Sequence, residues 1–390
     1  MAQTLITDKN LATSGTMPAW DGSALTNLPA GGDKRNFIID GDLTQWPEGS
    51  SARALGGSGG YTSALLYGLE DYSSGSATVE RSTDVPTVAQ SNHSSSYSAL
   101  AKCTLDAAPG SSQQCFLAYR ITGSDYRKIH AQQVTISFWA KTSAQNNGHT
   151  YYLVLRNSAF NRHYVTSFTV TSSWQQFTKT ITLDNSGTWL FTEADIGMEI
   201  RFQLGKESTY ANTTADAWGS GVGAGVSGMS NFLNHTSNEF YLSQFQLVKG
   251  SSAPDSFVSE PIATVQDQVA WYVEELNPNN NNHCRFGPAM CRHSTSIQGM
   301  ISFAPKRISA PMVSLGSGVA GSYGFINYAD LNYAGTATPT FGTAQNTAKS
   351  GFFTFNQTVG NSGSGNPTAG HPGLFRAFAS TGTILIDARH

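Results

Sequence analysis

One stretch of this chain, Phe240 to Leu276, constrains the fold more than any other. Phe240, Leu242, Phe245 and Leu247 form an alternating apolar strand that runs into a turn at Gly250–Pro254. Pro261 then suits a first helical position, where its missing N–H would be unpaired in any case. Ile262, Val265, Val269, Tyr272, Val273 and Leu276 recur at three- and four-residue steps, which predicts one helix from Pro261 to Leu276. Asn277-Pro278 ends it. A lone amphipathic helix must bury its face. Packing on its own sandwich is the simpler reading; the other is a helix that gathers copies at a symmetry axis. No second convincing helix is present, and β-rich sequence flanks this one on both sides.

The preceding region, 34–255, reads as a β-sandwich. Asn36–Asp40 is a short apolar strand. Ser98–Leu105 and Gln114–Ile121 alternate around Ala107–Ser111 as a hairpin would. Gln133–Lys141, Tyr151–Arg156, Tyr164–Thr171, Gln175–Leu183, Met198–Leu204 and Phe240–Val248 alternate as well. Such spacing with almost no helical period points to two packed antiparallel sheets. Trp139 and Trp174 are expected in the core. Gly56–Gly60 and Gly219–Gly228 read as loops, and the second is long for a sandwich connection, where binding often sits. The expected organisation is a leader over 1–33, the sandwich over 34–255, the helix as a linker over 256–278 and a smaller β domain over 279–390. Its short strands are Gly299–Phe303, Met312–Leu315, Gly324–Tyr328, Gly351–Thr358, Leu374–Ser380 and Thr383–Asp387. The fold class is therefore all-β.

Charged residues are 13% of the chain and the formal net charge is −3. Lys and Arg are scattered, which argues against nucleic acid and anionic membrane as partners. No stretch approaches the roughly 20 apolar residues that span a bilayer, and the N-terminus lacks the cationic start and apolar core of a signal peptide. An uncharged surface rich in Ser, Thr, Asn and aromatics suits an exposed protein made in a cytoplasm and released by lysis. The leader has neither a helical nor a strand period. Met17, Trp20, Leu25 and Leu28 would be odd in a solvated tail, so docking onto a larger structure is favoured over disorder.

Two cysteine pairs stand out. In His283-Cys284-Arg285-Phe286-Gly287-Pro288-Ala289-Met290-Cys291-Arg292-His293, a turn at Gly287-Pro288 would bring Cys284 to Cys291 and His283 to His293. A disulfide, free thiols packed as small apolar groups, or a tetrahedral zinc site all remain open. Cys103 and Cys115 would be cross-strand partners in their hairpin, or buried free thiols. Enzyme signatures are weak. Glycoside cleavage needs two facing carboxylates, and nothing in the sequence pairs Asp184, Glu193, Asp195 or Glu199. No G-x-S-x-G, Walker or H-E-x-x-H pattern occurs. No catalytic role is expected.

Several segments resemble bacteriophage tail fibre and spike proteins. Asn36-Phe37-Ile38-Ile39-Asp40-Gly41-Asp42-Leu43, with Trp46, resembles the start of a jelly-roll, carbohydrate-binding-like module in such fibres. Val134–Lys141 and Thr171–Phe177 resemble its central strands, and Phe240 to Tyr272 resembles its close. Ile301–Met312 resembles the start of the fibres' C-terminal domain, and Gly15–Pro29 their attachment segment. The resemblance implies a homotrimeric virion fibre or spike subunit. It would join other virion proteins of the tail or head through its N-terminus and contact a host surface polysaccharide. A head fibre, decoration or adaptor protein without glycan binding is the alternative, and a glycan-degrading spike the next. Glycan binding would use aromatic faces and planar polar groups. Tyr61, Tyr67, Tyr72, Trp189, Tyr210 and Trp218 are the candidates, with Asn157, Arg162 and Asn212 near in sequence. No cofactor is expected beyond a structural Ca²⁺ or Zn²⁺, and Asp40 and Asp42 are the first Ca²⁺ ligands to consider.

Overall fold

The computed structural model describes residues 35–110, 112–206, 210, 214–276, 285–293, 296–308, 311–315, 323–327, 333–334, 346–347, 352–358, 370, 372–377 and 383–389. Met17, Trp20, Leu25, Leu28, Asn212, His283 and Cys284 lie outside the described residues, so the attachment segment does too.

Period-two alternation builds two antiparallel sheets packed face to face. Sheet A has the order β1 (Arg53–Leu55), β4 (Ser76–Ser82), β5 (Ser98–Leu105), β13 (Glu239–Lys249), β7 (Gln133–Thr142), β10 (Gln175–Thr182). Sheet B has the order β12 (Trp218–Ser220), β9 (Arg162–Thr169), β8 (Thr150–Arg156), β11 (Ile196–Lys206), β6 (Gln114–Thr122), β3 (Leu66–Glu70), β2 (Gly60–Tyr61). Consecutive strands change sheet repeatedly, as in a jelly roll. The inner residues meet between the sheets. Phe138 lies edge-on to Phe202 at 4.9 Å and to Phe168 at 5.1 Å, with Ile136, Leu153 and Ile200 in the same core. The fold is all-β; the described residues add short helical turns α1 (Val88–Ser91) and α2 (Gly123–Tyr126) and a longer helix, α3 (Ile262–Ala270).

Four expectations are corrected. First, β5 and β6 are not a hairpin: they lie in opposite sheets, and the segment between them crosses the sandwich edge. Alternation reports a buried face but not which sheet a strand joins. Second, Asn36–Asp40 is a turn-rich segment rather than a strand. Asp40 and Leu43 sit at φ 54° and 55°, which breaks extension. The segment still follows β13, through Phe37 N–H to Leu247 O at 2.8 Å and Phe245 N–H to Gly41 O at 2.8 Å. A Cβ on Gly41 would stand 1.9 Å from Phe245 O, so only glycine permits this approach.

Third, the helix stops at Ala270, and Val273–Leu276 is a strand, β14. Val273 and Leu276 fit the helical period, but this stretch finds backbone partners on β23 (Ile384–Asp387). Val269, Tyr272 and Val273 join the sandwich core and Val265 packs against it, so α3 covers its own sandwich. Ile262, expected on the buried face, is exposed. Fourth, Gly287-Pro288 does not turn. Arg285–His293 is one strand, β15, with a register shift between Arg285 and Gly287 that accommodates the Gly-Pro pair. A strand rises about 3.3 Å per residue, so Arg285 and Cys291 are separated, not folded together.

Beyond the helix lie two further sheets. In one, β23 sits between β14 and β17 (Met312–Leu315), so the last strand is tied in on both sides. The other has the order β19 (Tyr333–Ala334), β18 (Tyr323–Asn327), β22 (Pro372–Ala377), β15, β16 (Ser296–Ser302), β21 (Phe352–Thr358), β20 (Asn346–Thr347). Cations tie the first of these to the sandwich. Arg389 donates to Glu48 at 2.5 Å and lies 4.1 Å over the Tyr61 ring. Arg307 donates to Ala388 O at 2.9 Å beside β23 and to Glu193 O at 2.5 Å on the sandwich, while Lys306 links the helix end to β14 through Ala270 O at 2.6 Å and Glu274 at 2.8 Å.

Candidate functional site

In a strand, every second side chain faces away from the core. On sheet B, Tyr151, Leu153, Ile200, Phe202, Leu117 and Tyr119 point inward, which leaves the residues between them on the outer face. That outer face is not the usual polar surface. Arg120 on β6, Glu199 on β11 and Arg156 on β8 stand opposite one another in a row, and His163 on β9 continues it. Arg120 Nε donates to Glu199 Oε2 at 2.9 Å and Arg156 Nε to Oε1 at 2.7 Å. Arg201, two residues along β11, donates its Nε to the same Oε1 and its Nη1 to Gln114 Oε1 at 3.0 Å.

Each guanidinium lies over a ring. Arg120 is 3.7 Å from the Tyr67 centroid, Arg201 3.6 Å from Phe116 and Arg156 4.2 Å from Phe160. Stacking holds the planar forks in place, a role that lysine could not fill. Arg120 and Arg156 keep 16% and 11% of their side-chain surface, and Phe160 is 47% exposed, so the row opens to solvent along its rim. Arg201 and Glu199, at 5% each, form its floor. Burial pulls the Arg156 guanidinium down, and Glu199 only partly offsets this. Burial also acts on Arg120, but there the attraction of Glu199 wins and the pKa is raised.

The Gly219–Gly228 loop folds over the β8–β9 half of this face. Gly221 N–H donates to Asn161 O at 3.1 Å, and His163 Nδ1 lies 2.9 Å from Gly221 O. Val226 and Met229 pack on Tyr152, Val154 and Val165. The loop thus walls one side, and Tyr67 and Arg120 lie on the other, β3–β6 half.

The aromatic residues singled out in the sequence are dispersed. Tyr72 and Trp189, expected on loops, are buried. The Tyr72 hydroxyl bonds Asn231 at 3.0 Å, and burial raises its pKa. Trp189 stacks on Tyr126 at 4.8 Å and meets Trp218 edge-on at 6.0 Å. Trp218 donates to Thr182 O at 2.8 Å. Arg162 pairs with Asp184, and Asn157 accepts from its backbone N–H at 3.1 Å. Tyr210 holds Ala224 N–H through its carbonyl at 3.2 Å. Tyr61 meets Tyr67 edge-on at 5.6 Å, which puts this pair alone at the margin of the arginine row. Trp139 is buried but faces away from the inter-sheet core, and Trp174 is half-buried on the outside of sheet A, so neither is the core residue expected. Reasoning from loops missed Arg120, Arg156 and Arg201. Their signal was available: charged residues at the outward positions of otherwise apolar strands.

Other chemistry is less developed. A cleft of about 720 Å³ where α2, α3 and the Ala304-Pro305 segment meet is lined by Asp125, Lys128, Glu193, Asp267, Gln268 and Trp271. Asp40 accepts from Thr44 N–H at 2.8 Å, Thr44 Oγ1 at 2.7 Å and Gln45 N–H at 3.0 Å, and burial pushes its pKa up to about 7. Asp42 faces His93 at 3.0 Å and Ser95 at 2.5 Å. Both Asp40 oxygens thus meet N–H or O–H donors, and Asp42 meets one polar partner at each oxygen. Among the described residues no three His, Cys, Asp or Glu side chains gather as a metal site. Cys291 is buried in β15. Cys103 and Cys115 are buried free thiols on opposite sheets, and burial pushes Cys103 up to about 11 and Cys115 well up, which keeps both unreactive at neutral pH.

No protein-family model matches the chain, and no curated protein matches it. Among solved structures, it is similar to an arabinose-bound α-L-arabinofuranosidase, MgGH51, with 13% identity and TM-score 0.29 over 52% of this chain. It is similar to the enzymatically active domain of bacteriophage CBA120 tailspike protein 4, with 11% identity and TM-score 0.28 over 55% of this chain. It is also similar to TmCBM61 in complex with β-1,4-galactotriose, with 13% identity and TM-score 0.27 over 55% of this chain. The chain spans 26% of the first of these, 21% of the second and 99% of the third. At such scores the likenesses carry no argument here, and the functional reading rests on the site.

Proposed function

We propose that this chain is a virion fibre or spike subunit that recognises a host-surface glycan on the outer face of sheet B. The observation that carries this reading is the Tyr67–Arg120–Glu199–Arg156–Phe160 array, which combines ring faces with planar hydrogen-bonding groups. Sugars present C–H patches and hydroxyls in alternation, and such an array meets both. Its charged groups sit on central strands of a packed sandwich, with Phe160 in the short β8–β9 turn, so little is lost in ordering them on binding. The role proposed is binding without cleavage: the row holds one carboxylate, Glu199, and three guanidiniums engage it, whereas glycosidic cleavage needs two facing carboxylates.

In this reading residues 1–33 attach the subunit to the particle, and the subunit is made in the host cytoplasm and displayed on the virion. A homotrimer is proposed as well, motivated by Met290, Met300 and Met312, which stand exposed on the sheets beyond the helix. Coverage of the β8–β9 half by the glycine loop is the one observation that favours the second reading, a structural fibre or adaptor. The test is binding of the whole protein to purified host-envelope polysaccharides beside a Tyr67→Ala, Phe160→Ala variant. Binding that weakens at least tenfold in the variant is expected. Absence of binding, or equal binding by the variant, overturns the site, and new reducing ends released from the polysaccharide overturn the non-catalytic role.

A further inference from the structure

We propose that β10 (Gln175–Thr182) is an interface for a second copy of this chain, which pairs its own β10 antiparallel to this one about a two-fold axis at Thr178. The interface is separate from the glycan face and from the threefold association proposed above. An unpaired edge strand is a template for another chain, and folded proteins blunt such edges by keeping them short, bulged or charged. Among the described residues seven of the eight sheet edges are short: β1, β2, β12, β14, β17, β19 and β20 are two to four residues long. β10 is the exception. It is eight residues long and pairs with β7 along all of them without a register shift. It contains no proline, and Lys179 is its one charged residue.

The pairing with β7 decides which backbone groups face outward. In an antiparallel pair, residues whose N–H and C=O reach the neighbour alternate with residues whose groups point away. Leu183 N–H donates to Gln132 O at 2.9 Å, in register with the β7 pairing. The backbone groups of Phe177, Lys179 and Ile181 therefore reach β7, and those of Gln176, Thr178, Thr180 and Thr182 point away from it. Trp218 agrees with this phase: from β12 of the other sheet, its indole N–H donates to Thr182 O at 2.8 Å. That contact closes one end of the edge. Among the described residues nothing hydrogen-bonds to the backbone of Gln176, Thr178 or Thr180 from the outer side, and their side chains are exposed.

The edge fits its own copy. Outward groups pair with outward groups, so self-pairing joins even-numbered residues. Centred on Thr178, it sets Thr178 against Thr178 of the copy and Gln176 against Thr180, with about six backbone hydrogen bonds. Threonine and glutamine then face each other as hydrogen-bonding cross-strand pairs, and Phe177 faces Lys179, a ring beside a cation. One step toward the C-terminus would oppose Lys179 to Lys179, which like charge disfavours. One step toward the N-terminus would oppose Thr180 to Trp174, outside the strand. With no carboxylate and one cation in β10, nothing selects a charged foreign strand, whereas a second copy meets a compatible residue at every pair. The contact is isologous, and sheet A of one copy continues into sheet A of the other.

Sedimentation of the full chain across a dilution series tests this, beside Thr178→Pro. Proline at 178 removes an outward N–H and leaves the β7 ladder intact, so the variant should fold, as its melting curve would show. The unmodified chain is expected as a dimer, or as a hexamer where two trimers join, and Thr178→Pro should weaken the two-fold association at least tenfold. Oxidative cross-linking gives a second reading, because Cα atoms of a hydrogen-bonded pair lie about 5.5 Å apart, within disulfide reach. Thr178→Cys should yield covalent dimer, and Gln176→Cys, displaced from the axis, should not. Should Thr178→Pro fail to fold, this pair of variants decides alone. A chain that sediments as monomer or trimer at every concentration overturns the proposal, as does an even-numbered assembly that folded Thr178→Pro leaves unchanged. Equal cross-linking of the two cysteine variants, or of neither, removes the axis at Thr178 and overturns it too.

Discussion

The two outer faces of the sandwich carry different polar chemistry: sheet A holds neutral pairs and separate ion pairs, whereas sheet B gathers three guanidiniums on one carboxylate. On sheet A, Thr135 and Thr180 share a hydroxyl contact at 3.0 Å, Thr135 donates to Gly250 O at 2.8 Å, and Gln246 donates to Ser137 at 2.9 Å while accepting Val258 N–H at 3.1 Å. Gln244 donates to Ser91 and Ser95 at 2.9 and 3.0 Å. Neutral donors and acceptors meet in pairs that tie down the covering segments at 91–95 and 250–258, and the charges of this face meet one to one, Lys102 with Glu80 and Lys141 with Asp84. On sheet B the same geometry, outward side chains in cross-strand rows, carries three guanidiniums and one carboxylate. The contrast teaches that register across strands, more than polarity alone, decides whether outward polar residues form separate pairs or one cluster.

The comparison can be broken by substitution. Glu199→Gln leaves three clustered guanidiniums without their carboxylate and should lower stability by about 3–5 kcal/mol, read by chemical denaturation. A loss below about 1 kcal/mol would mean that water already satisfies the row. Gly41→Ala, where the sheet A side packs most closely, forces a methyl onto Phe245 O and should cost about 1–3 kcal/mol. Ser137→Ala removes one neutral hydrogen bond to Gln246 and should cost about 0.5–1.5 kcal/mol. An effect of Ser137→Ala as large as that of Glu199→Gln would erase the distinction between the faces.

Much of the fold was legible because period two is a strong signal. The strands from β5 to β11 and the last strand fall close to the expected spans, since each buries one face and exposes the other. What failed were choices that depend on partners distant in sequence. Whether β5 pairs with β6 is decided by β13, which takes the edge of β5 instead. Whether Val273–Leu276 stays helical is decided by β23, more than a hundred residues later. The site was missed for a related reason. A loop position suggests an exposed aromatic, yet Trp189 is drawn inward to stack on Tyr126. Arg120, Arg156 and Arg201 looked like isolated charges in apolar strands, because only the register across three strands brings them to Glu199. Glu199 itself was visible among the acidic candidates, but the partners it found are cations rather than a second carboxylate.

Whether sheet B rather than sheet A meets the glycan is decided by hydroxyl-radical footprinting of the full chain with a host-envelope polysaccharide that it binds. Each face carries reporters: Tyr67 and Phe160 on sheet B, Trp174 and Tyr241 on sheet A, where Trp174 lies edge-on to Tyr241 at 6.0 Å. Tyr67 and Phe160 are expected to become protected while Trp174 and Tyr241 oxidise at unchanged rates. Protection of Trp174 and Tyr241 with Tyr67 and Phe160 unchanged would contradict it.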